Sequence, residues 1–230
     1  MEMMIRKDYV RHNEEIFRLR DPFSCLSHFA GFLLSIVGMP ILLTRAAENS
    51  SQRTVMISLS VYMLTMILLY GASASYHAFN ISPRANRILK KIDHMSIFIL
   101  IAGTYTPICA AVLPEREGNI MLAVIWSIGL LGILFKAFFV YCPKWVSSVI
   151  YLTMGWAVVA VMPILLPLLS TGAFLFLLLG GLFYTAGAII YALKLTVFKN
   201  PYFVNHELFH LFVLAGSLCH YLLMLHYIAC

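Results

Sequence analysis

The sequence has 230 residues, of which 61% are hydrophobic and only 11% are charged. This composition excludes a water-soluble globular domain, because such domains carry about a quarter charged residues. The formal net charge of +6 would suit a nucleic-acid-binding protein, but the basic residues lie in the links between long apolar segments. The composition therefore predicts an integral membrane protein without a nucleic-acid partner.

Seven apolar segments follow one another along the chain, each close to the roughly 20 residues that cross a bilayer. They cover about residues 27–44, 54–77, 94–113, 119–135, 145–169, 172–193 and 206–228. Prolines within these segments are predicted to kink the helices, because neighbouring helices can satisfy the freed carbonyl groups: Pro40, Pro107, Pro163 and Pro167. The sequence predicts an all-α, seven-transmembrane helix bundle over residues 27–230, preceded by a cytoplasmic N-terminal segment, residues 1–26.

Basic residues are distributed unevenly between the two sides of this predicted bundle. Thirteen of the sixteen lysines and arginines precede the first helix or lie in the links after helices two, four and six, whereas Arg45, Arg53 and Arg116 lie on the other side. Basic residues remain on the cytoplasmic side during membrane insertion. The bias predicts a multi-pass protein of the cell membrane with its N-terminus inside and its C-terminus outside.

Histidines and acidic residues converge at the predicted cytoplasmic ends of four helices. Ionisable side chains are costly inside a membrane and are functional candidates by default. With the N-terminus inside, seven of these residues are predicted to lie at a similar depth in the membrane, near its cytoplasmic face: His28, His77, Asp93, His94, His206, Glu207 and His210. This convergence is the strongest functional signal in the sequence.

Three of these histidines have the spacing expected for a metal site. His206 and His210 are four residues apart, so both imidazoles lie on one face of a helix, and His77 could supply a third ligand. Three histidines and a water form a catalytic type of zinc site, in which the ion lowers the pKa of the water to roughly 7. His220 would lie about 21 Å from His206 along the helix axis, too far to share the ion. The distant His220 and His226 are expected to serve packing or interhelical hydrogen bonding, or to lie at the membrane interface.

Three residues beside the predicted ligands are candidates for catalytic roles. Ser73 lies one turn before His77 and could hold the metal-bound water or a substrate carbonyl, and Asp93 could orient or deprotonate the water. Glu207 lies within His-Glu-Leu-Phe-His, which matches the H-E-x-x-H pattern of zinc proteases with Glu as general base. An intramembrane protease resembling site-2 proteases is therefore an alternative, although Lys-Ile-Asp-His around Asp93 does not match the L-D-G or N-P-D-G context of those enzymes.

Three motifs resemble the hemolysin III branch of the progestin and adipoQ receptor (PAQR) superfamily. The first is Arg-Asp-Pro-Phe-Ser-Cys-Leu-Ser-His at residues 20–28, which is similar to E-x-x-N-x-x-x-H. The second is Ser73-Ala-Ser-Tyr-His77, followed by Lys91-Ile-Asp-His94 and Ala102-Gly-Thr-Tyr-Thr-Pro107. The third is His206-Glu-Leu-Phe-His210, which continues to His220. The first motif departs from the family pattern: Asp21 stands where Glu is usual, and Ser24 stands where Asn is usual. Together the motifs span nearly the whole chain.

The resemblance implies a seven-helix bundle with its N-terminus inside and a Zn²⁺ ion held by His77, His206 and His210, with Ser73 and Asp93 beside it. In the adiponectin receptors of this superfamily the site is linked to hydrolysis of ceramide, a lipid amide. The expected function is therefore zinc-dependent hydrolysis of ceramide-like lipid amides in the membrane. The alternatives are a pore-forming hemolysin or cytolysin, and a receptor or regulator of lipid homeostasis in which zinc is structural.

Overall fold

The computed structural model describes residues 19–49, 52–195 and 205–230. Within these residues there is no strand, and seven helices are long and apolar enough to cross a membrane. In chain order they are α1 (Pro22–Asn49), α2 (Arg53–Ala78), α3 (Pro83–Ala111), α4 (Glu115–Phe138), α5 (Lys144–Leu168), α6 (Thr171–Leu193) and α7 (Asn205–Ile228). The prediction of an all-α bundle with seven membrane-spanning helices is confirmed.

Part of the predicted N-terminal segment, residues 1–18, lies outside the described residues. The same is true of several basic residues that orient the predicted bundle: Arg6, Lys7, Arg11, Arg18 and Lys199. The cytoplasmic position of the N-terminus and the division of the chain at residue 27 therefore stay predictions.

Most helices that follow each other in the sequence pack side by side. The most extensive contacts join α2 to α1 and α3, α3 to α4, and α6 to α7, and α1 also packs against α7. Short connections, such as residues 79–82 between α2 and α3, favour antiparallel neighbours. The contact between α1 and α7 brings the first and last helices together, so the four helices that carry the predicted histidines form one contiguous group.

Polar side chains lie inside this bundle, and large apolar side chains cover its outside. On the surface Leu34 is 69% exposed and Phe138 is 73% exposed. The buried polar residues include His28, Ser73, His77, Asp93 and His210. A hydrocarbon environment offers polar groups no partners, so they must find them within the protein.

Helix α3 begins at Pro83, eleven residues before the predicted start at residue 94. The hydroxyl of Ser82 accepts a hydrogen bond from the Ala85 amide at 3.2 Å, and Pro83 occupies the first turn, where its missing N–H has no cost. The added turns are charged and so fall outside the apolar segment. They carry basic residues that were assigned to a link: Arg84, Arg87, Lys90 and Lys91.

The four prolines within the apolar segments lie in two kinds of local structure. Pro40 and Pro107 lie inside continuous stretches of α1 and α3. Pro163 and Pro167 lie in α5, whose backbone changes helix type several times. It is α-helical over Lys144–Trp156, 3₁₀ over Ala157–Val161, α-helical over Met162–Leu165 and 3₁₀ over Leu166–Leu168.

A side chain from α3 supports the first interruption of α5. The Tyr105 hydroxyl shares its one proton between the carbonyl oxygens of Met154 and Gly155, at 3.1 and 2.7 Å. It also accepts a hydrogen bond from the Val158 amide at 2.7 Å. These bonds satisfy backbone groups where the α-helical hydrogen bonding stops, as a membrane protein requires.

Gly118 lies where the start of α4 approaches the end of α3. A Cβ atom at this position would overlap the carbonyl oxygen of Cys109, a backbone atom that cannot turn aside. By contrast, a Cβ atom at Gly155 in α5 would meet nothing within 4 Å. The close approach of α3 and α4 therefore requires glycine at position 118.

We expect the substitution Gly118→Ala to lower the free energy of unfolding by about 1–3 kcal/mol, because an added methyl group would force the helix backbones apart. Gly155→Ala is the matched control and should leave stability unchanged or raise it by up to about 1 kcal/mol, since alanine is the better helix former. Thermal unfolding of both variants in detergent, followed by circular dichroism, measures the difference. Equal melting temperatures would contradict the close approach.

Candidate metal centre

Four helices bring histidines and an aspartate to one place inside the bundle. His28 comes from α1, His77 from the last turn of α2, Asp93 from α3, and His206 and His210 from the first turns of α7. The imidazole rings lie against one another, with centroid distances of 3.7 to 4.9 Å. The predicted convergence of these helices is therefore present as direct contact.

The three predicted metal ligands have a geometry that could hold an ion. One ligand nitrogen each from His77, His206 and His210 lies within 4.8 Å of the others. The Nε2 atoms of His77 and His206 are 3.2 Å apart, and in a tetrahedral site with metal–nitrogen bonds of about 2.0–2.1 Å the ligand nitrogens are roughly 3.3 Å apart. The three ring planes are inclined by 51° to 74°, so the nitrogens approach one region from different directions.

Asp21, which precedes α1, fixes the orientation of the His77 ring. Its carboxylate accepts a hydrogen bond from His77 Nδ1 at 2.9 Å, and its backbone amide donates to the His77 carbonyl oxygen at 3.0 Å. Because an ionised carboxylate only accepts hydrogen bonds, Nδ1 carries a proton, and in the neutral ring that a metal ion requires Nε2 would present its lone pair to the cluster. The hydrogen bond with His77 holds the pKa of the Asp21 carboxyl below its usual range.

The role of Asp21 was missed by the analysis of the sequence, which treated this residue only as a departure from the family motif. A carboxylate that orients a metal-binding histidine is a common second partner in metal sites. The signal in the sequence was weak, because Asp21 and His77 are 56 residues apart. Here the aspartate reaches His77 directly, even though its side chain is shorter than that of the usual glutamate.

His28 packs against the cluster as a fourth imidazole. Its ring stacks on that of His210 with a centroid distance of 3.7 Å and an angle of 18°. His28 is 3% exposed, and neither of its ring nitrogens has a hydrogen-bond partner of good geometry among the described residues. The stacking fixes the plane of His210 from the side of α1 and shields it from the hydrocarbon.

Asp93 and Ser73 lie together beside the histidines. The Asp93 carboxylate interacts with the Ser73 hydroxyl. It also lies 3.2 Å from His94 Nδ1, a close contact without the geometry of a directed hydrogen bond. Asp93 is 8% exposed and Ser73 is 2% exposed. The structure therefore brings both predicted catalytic residues into the buried site.

A partly enclosed cavity of about 290 Å³ adjoins the histidine cluster. Ser73, Asp93, His206 and His210 belong to its wall, and most of its remaining lining is apolar. Along α7 the wall follows His206, His210, Val213 and His220, a distance of about 21 Å at 1.5 Å per residue. The cavity therefore runs from the cluster deep into the membrane-spanning part of the bundle.

Glu207 is the predicted catalytic residue that does not reach this cavity. Its side chain is half-buried and is not part of the cavity wall. Successive residues of an α-helix point about 100° apart, so the orientation that directs His206 inward directs Glu207 sideways. Its role as a general base stays a prediction.

The two remaining histidines of α7 stand apart from the metal-ligand group, as expected. His220 lies at the deep end of the cavity, with Nε2 3.4 Å from the Leu177 carbonyl oxygen of α6. His226 is exposed near the C-terminal end of α7. Neither belongs to the group of ligands formed by His77, His206 and His210.

The sequence is similar to known proteins along most of its length. A family model described as "Haemolysin-III related" matches residues 18–221. The "Hemolysin-3 homolog" of Bacillus subtilis (strain 168) is 36% identical over 204 residues, which cover 89% of this chain and 92% of that protein. The "Hemolysin-3" of Bacillus cereus is 35% identical over 205 residues, which cover 89% of this chain and 90% of that protein.

We expect the purified protein to bind one divalent transition-metal ion per chain and to lose it in the variants His206→Ala and His210→Ala, because two remaining imidazoles make a much weaker site. His226→Ala is the matched control and should retain the ion. Metal content after dialysis, measured by mass spectrometry, distinguishes the variants. Equal metal content in all three variants would show that the cluster is not the binding site.

Proposed function

This chain belongs to the Haemolysin-III-related family of multi-pass membrane proteins, and we propose that it is a zinc-dependent hydrolase of membrane lipid amides. The observation that carries the proposal is a three-histidine cluster that adjoins an apolar cavity with a buried carboxylate in its wall. His77, His206 and His210 would hold the ion and leave one position for a non-protein ligand. A Zn²⁺ ion in such a site polarises a carbonyl group and activates water at neutral pH.

Asp93 is the residue best placed to move a proton in this reaction. It is buried in the cavity wall, and its carboxylate faces His94 and Ser73. A carboxylate held in this way can accept a proton from water and return it to the leaving amine. The Ser73 hydroxyl can hold Asp93 in position or donate a hydrogen bond to the amide carbonyl of the substrate.

The shape and polarity of the cavity support a lipid as the substrate. A peptide substrate would need polar partners for its backbone groups along its whole length. The cavity offers polar groups near the cluster and a mainly apolar wall beyond it. An amide bond at the cluster with its acyl chain in the apolar part fits this arrangement better than an unfolded peptide segment.

We expect purified wild-type protein to hydrolyse long-chain ceramide in detergent micelles and Asp93→Asn to lower kcat by about 10²–10⁴-fold with zinc content unchanged, because loss of a general base has that effect. His206→Ala should lose both zinc and activity. Glu207→Gln is the matched control for Asp93→Asn and should retain activity. Release of the fatty acid, measured by mass spectrometry, reports the rate.

Two outcomes would contradict the proposal. Full activity in both His206→Ala and Asp93→Asn would exclude the histidine cluster as the active site. Loss of activity in Glu207→Gln alone would favour the H-E-x-x-H reading, in which Glu207 is the general base. In that case hydrolysis of a transmembrane peptide would become the test of function.

Asp21 should act on zinc affinity without contacting the substrate. We expect Asp21→Ala to weaken zinc binding by about 10–100-fold, because the His77 ring loses the partner that sets its tautomer and orientation. Competition with a chromogenic chelator measures the affinity, and activity at saturating zinc should recover. Unchanged affinity would mean that the hydrogen bond between Asp21 and His77 does not tune the site.

A further inference from the structure

A second polar cluster lies in the wall of the same cavity. Lys136, in the last turn of α4, is 1% exposed, and its ammonium group donates hydrogen bonds to Ser147 Oγ and Cys142 Sγ. Both partners are neutral residues, and no acidic side chain of the described residues forms an ion pair with Lys136. A buried charge is costly unless it is paired, so this lysine lacks the partner that its burial requires.

One N–H group of the Lys136 ammonium group remains for a further hydrogen bond. The ammonium group carries three N–H groups, and its two hydrogen bonds to Ser147 and Cys142 use two of them. Lys136, Ser147 and Cys142 all belong to the cavity wall. The remaining N–H can therefore serve a ligand in the cavity.

Two more lysines line the cavity beside Lys136. Lys90 lies over the ring of Tyr141 at 4.4 Å, and Lys144 lies over the ring of Tyr191 at 4.0 Å. The charge of Lys90 is close enough to those of Lys136 and Lys144 to interact with both. These contacts with aromatic rings hold cations near each other without neutralising them.

The negative charge in the described cavity wall is limited to one residue. Among the described residues Asp93 is the only acid that lines the cavity, and it already faces His94 and Ser73. Three lysines therefore share a cavity with one carboxylate that has other partners. The excess of positive charge favours an anionic ligand.

The rest of the cavity indicates what is attached to this anion. Beyond the lysines and histidines the wall is formed mainly by apolar residues of α3, α5, α6 and α7. The cavity wall extends about 21 Å along α7. This length exceeds the thickness of the hydrocarbon of one leaflet, which is about 15 Å. A single extended alkyl chain matches both the length and the polarity of this space.

We infer that the cavity binds a single-chain lipid with an anionic head group, a carboxylate or a phosphate, which pairs with Lys136 and the neighbouring Lys90 and Lys144. The alkyl chain of the ligand lies along α7 toward Tyr184 and His220. Binding does not need the metal ion. Only the further step, that the natural substrate is a lipid amide with an anionic head group, rests on the proposed function.

Binding to metal-free protein tests this inference separately from hydrolysis. The full-length protein in nanodiscs is stripped of metal with EDTA and incubated with radiolabelled palmitate. Unlabelled palmitate, hexadecyl phosphate and hexadecan-1-ol, which have the same chain length, are then compared as competitors of the label. We expect palmitate or hexadecyl phosphate to compete at least tenfold better than the alcohol, since a charged hydrogen bond to the head group adds about that factor or more. The stronger of the two anions identifies the head-group chemistry.

Variants then assign the binding to the lysine cluster. Lys136→Gln should weaken palmitate binding by about 10–100-fold, whereas Lys91→Gln, which removes an equal charge next to Lys90 but outside the cavity wall, should not. If Lys136→Gln does not fold, the exposed Lys144→Gln provides the same comparison with a smaller loss. Equal competition by hexadecan-1-ol, or equal losses in the cavity-wall variant and Lys91→Gln, would overturn the inference.

The two proposals can fail independently. Anion-selective binding without ceramide hydrolysis would leave the lipid site standing and reject the enzyme. Hydrolysis with equal kcat/KM for ceramide and an N-palmitoyl amino acid, and without anion-selective binding, would leave the enzyme standing and overturn the lysine site.

Discussion

A bilayer gives polar side chains no partners, and this constraint decides where the chemistry of the chain can lie. Buried hydroxyl groups can bond to carbonyl groups of their own helix, as Ser35 and Thr104 do, but larger polar groups have to face another helix. Histidines from α1, α2 and α7 therefore lie together with Asp93 of α3 in the interior. The large apolar residues remain on the outside, where they contact lipid. Because a polar interior is costly, four imidazoles in contact beside the buried Asp93 make this region the functional candidate of the bundle.

The cluster is also held from outside the membrane-spanning part of the chain. Asp21 precedes α1, yet it bonds to both the ring and the backbone of His77 at the end of α2. The start of α1 therefore determines the orientation of a ligand on α2, and His28 on α1 determines the plane of His210 on α7. Helix α1 contributes no member of the three-histidine group, but its His28 and the preceding Asp21 position two of the members.

The sequence predicted the features that depend on local pattern. Long apolar segments predicted the seven helices, and the spacing of His206 and His210 predicted two imidazoles on one face. It did not predict features that depend on how helices meet. The early start of α3 at Pro83 was hidden by charged residues, because the apolar segment begins only later. The stacking of His28, the support from Asp21 and the sideways position of Glu207 all require the relative rotation of helices, which a single sequence does not encode in any short pattern.

The interruption of α5 lies beside the apolar part of the cavity and away from the histidine cluster. Where its α-helical hydrogen bonding stops, the backbone is held by the Tyr105 hydroxyl of α3, and Gly155, Trp156 and Val158 line the cavity there. The three clustered histidines lie on α2 and α7, which this stretch does not include. Substitutions in the interrupted stretch can therefore reshape the apolar part of the cavity without moving the histidines, so that under the proposed function the acyl chain that fits and the chemistry at the cluster would vary separately.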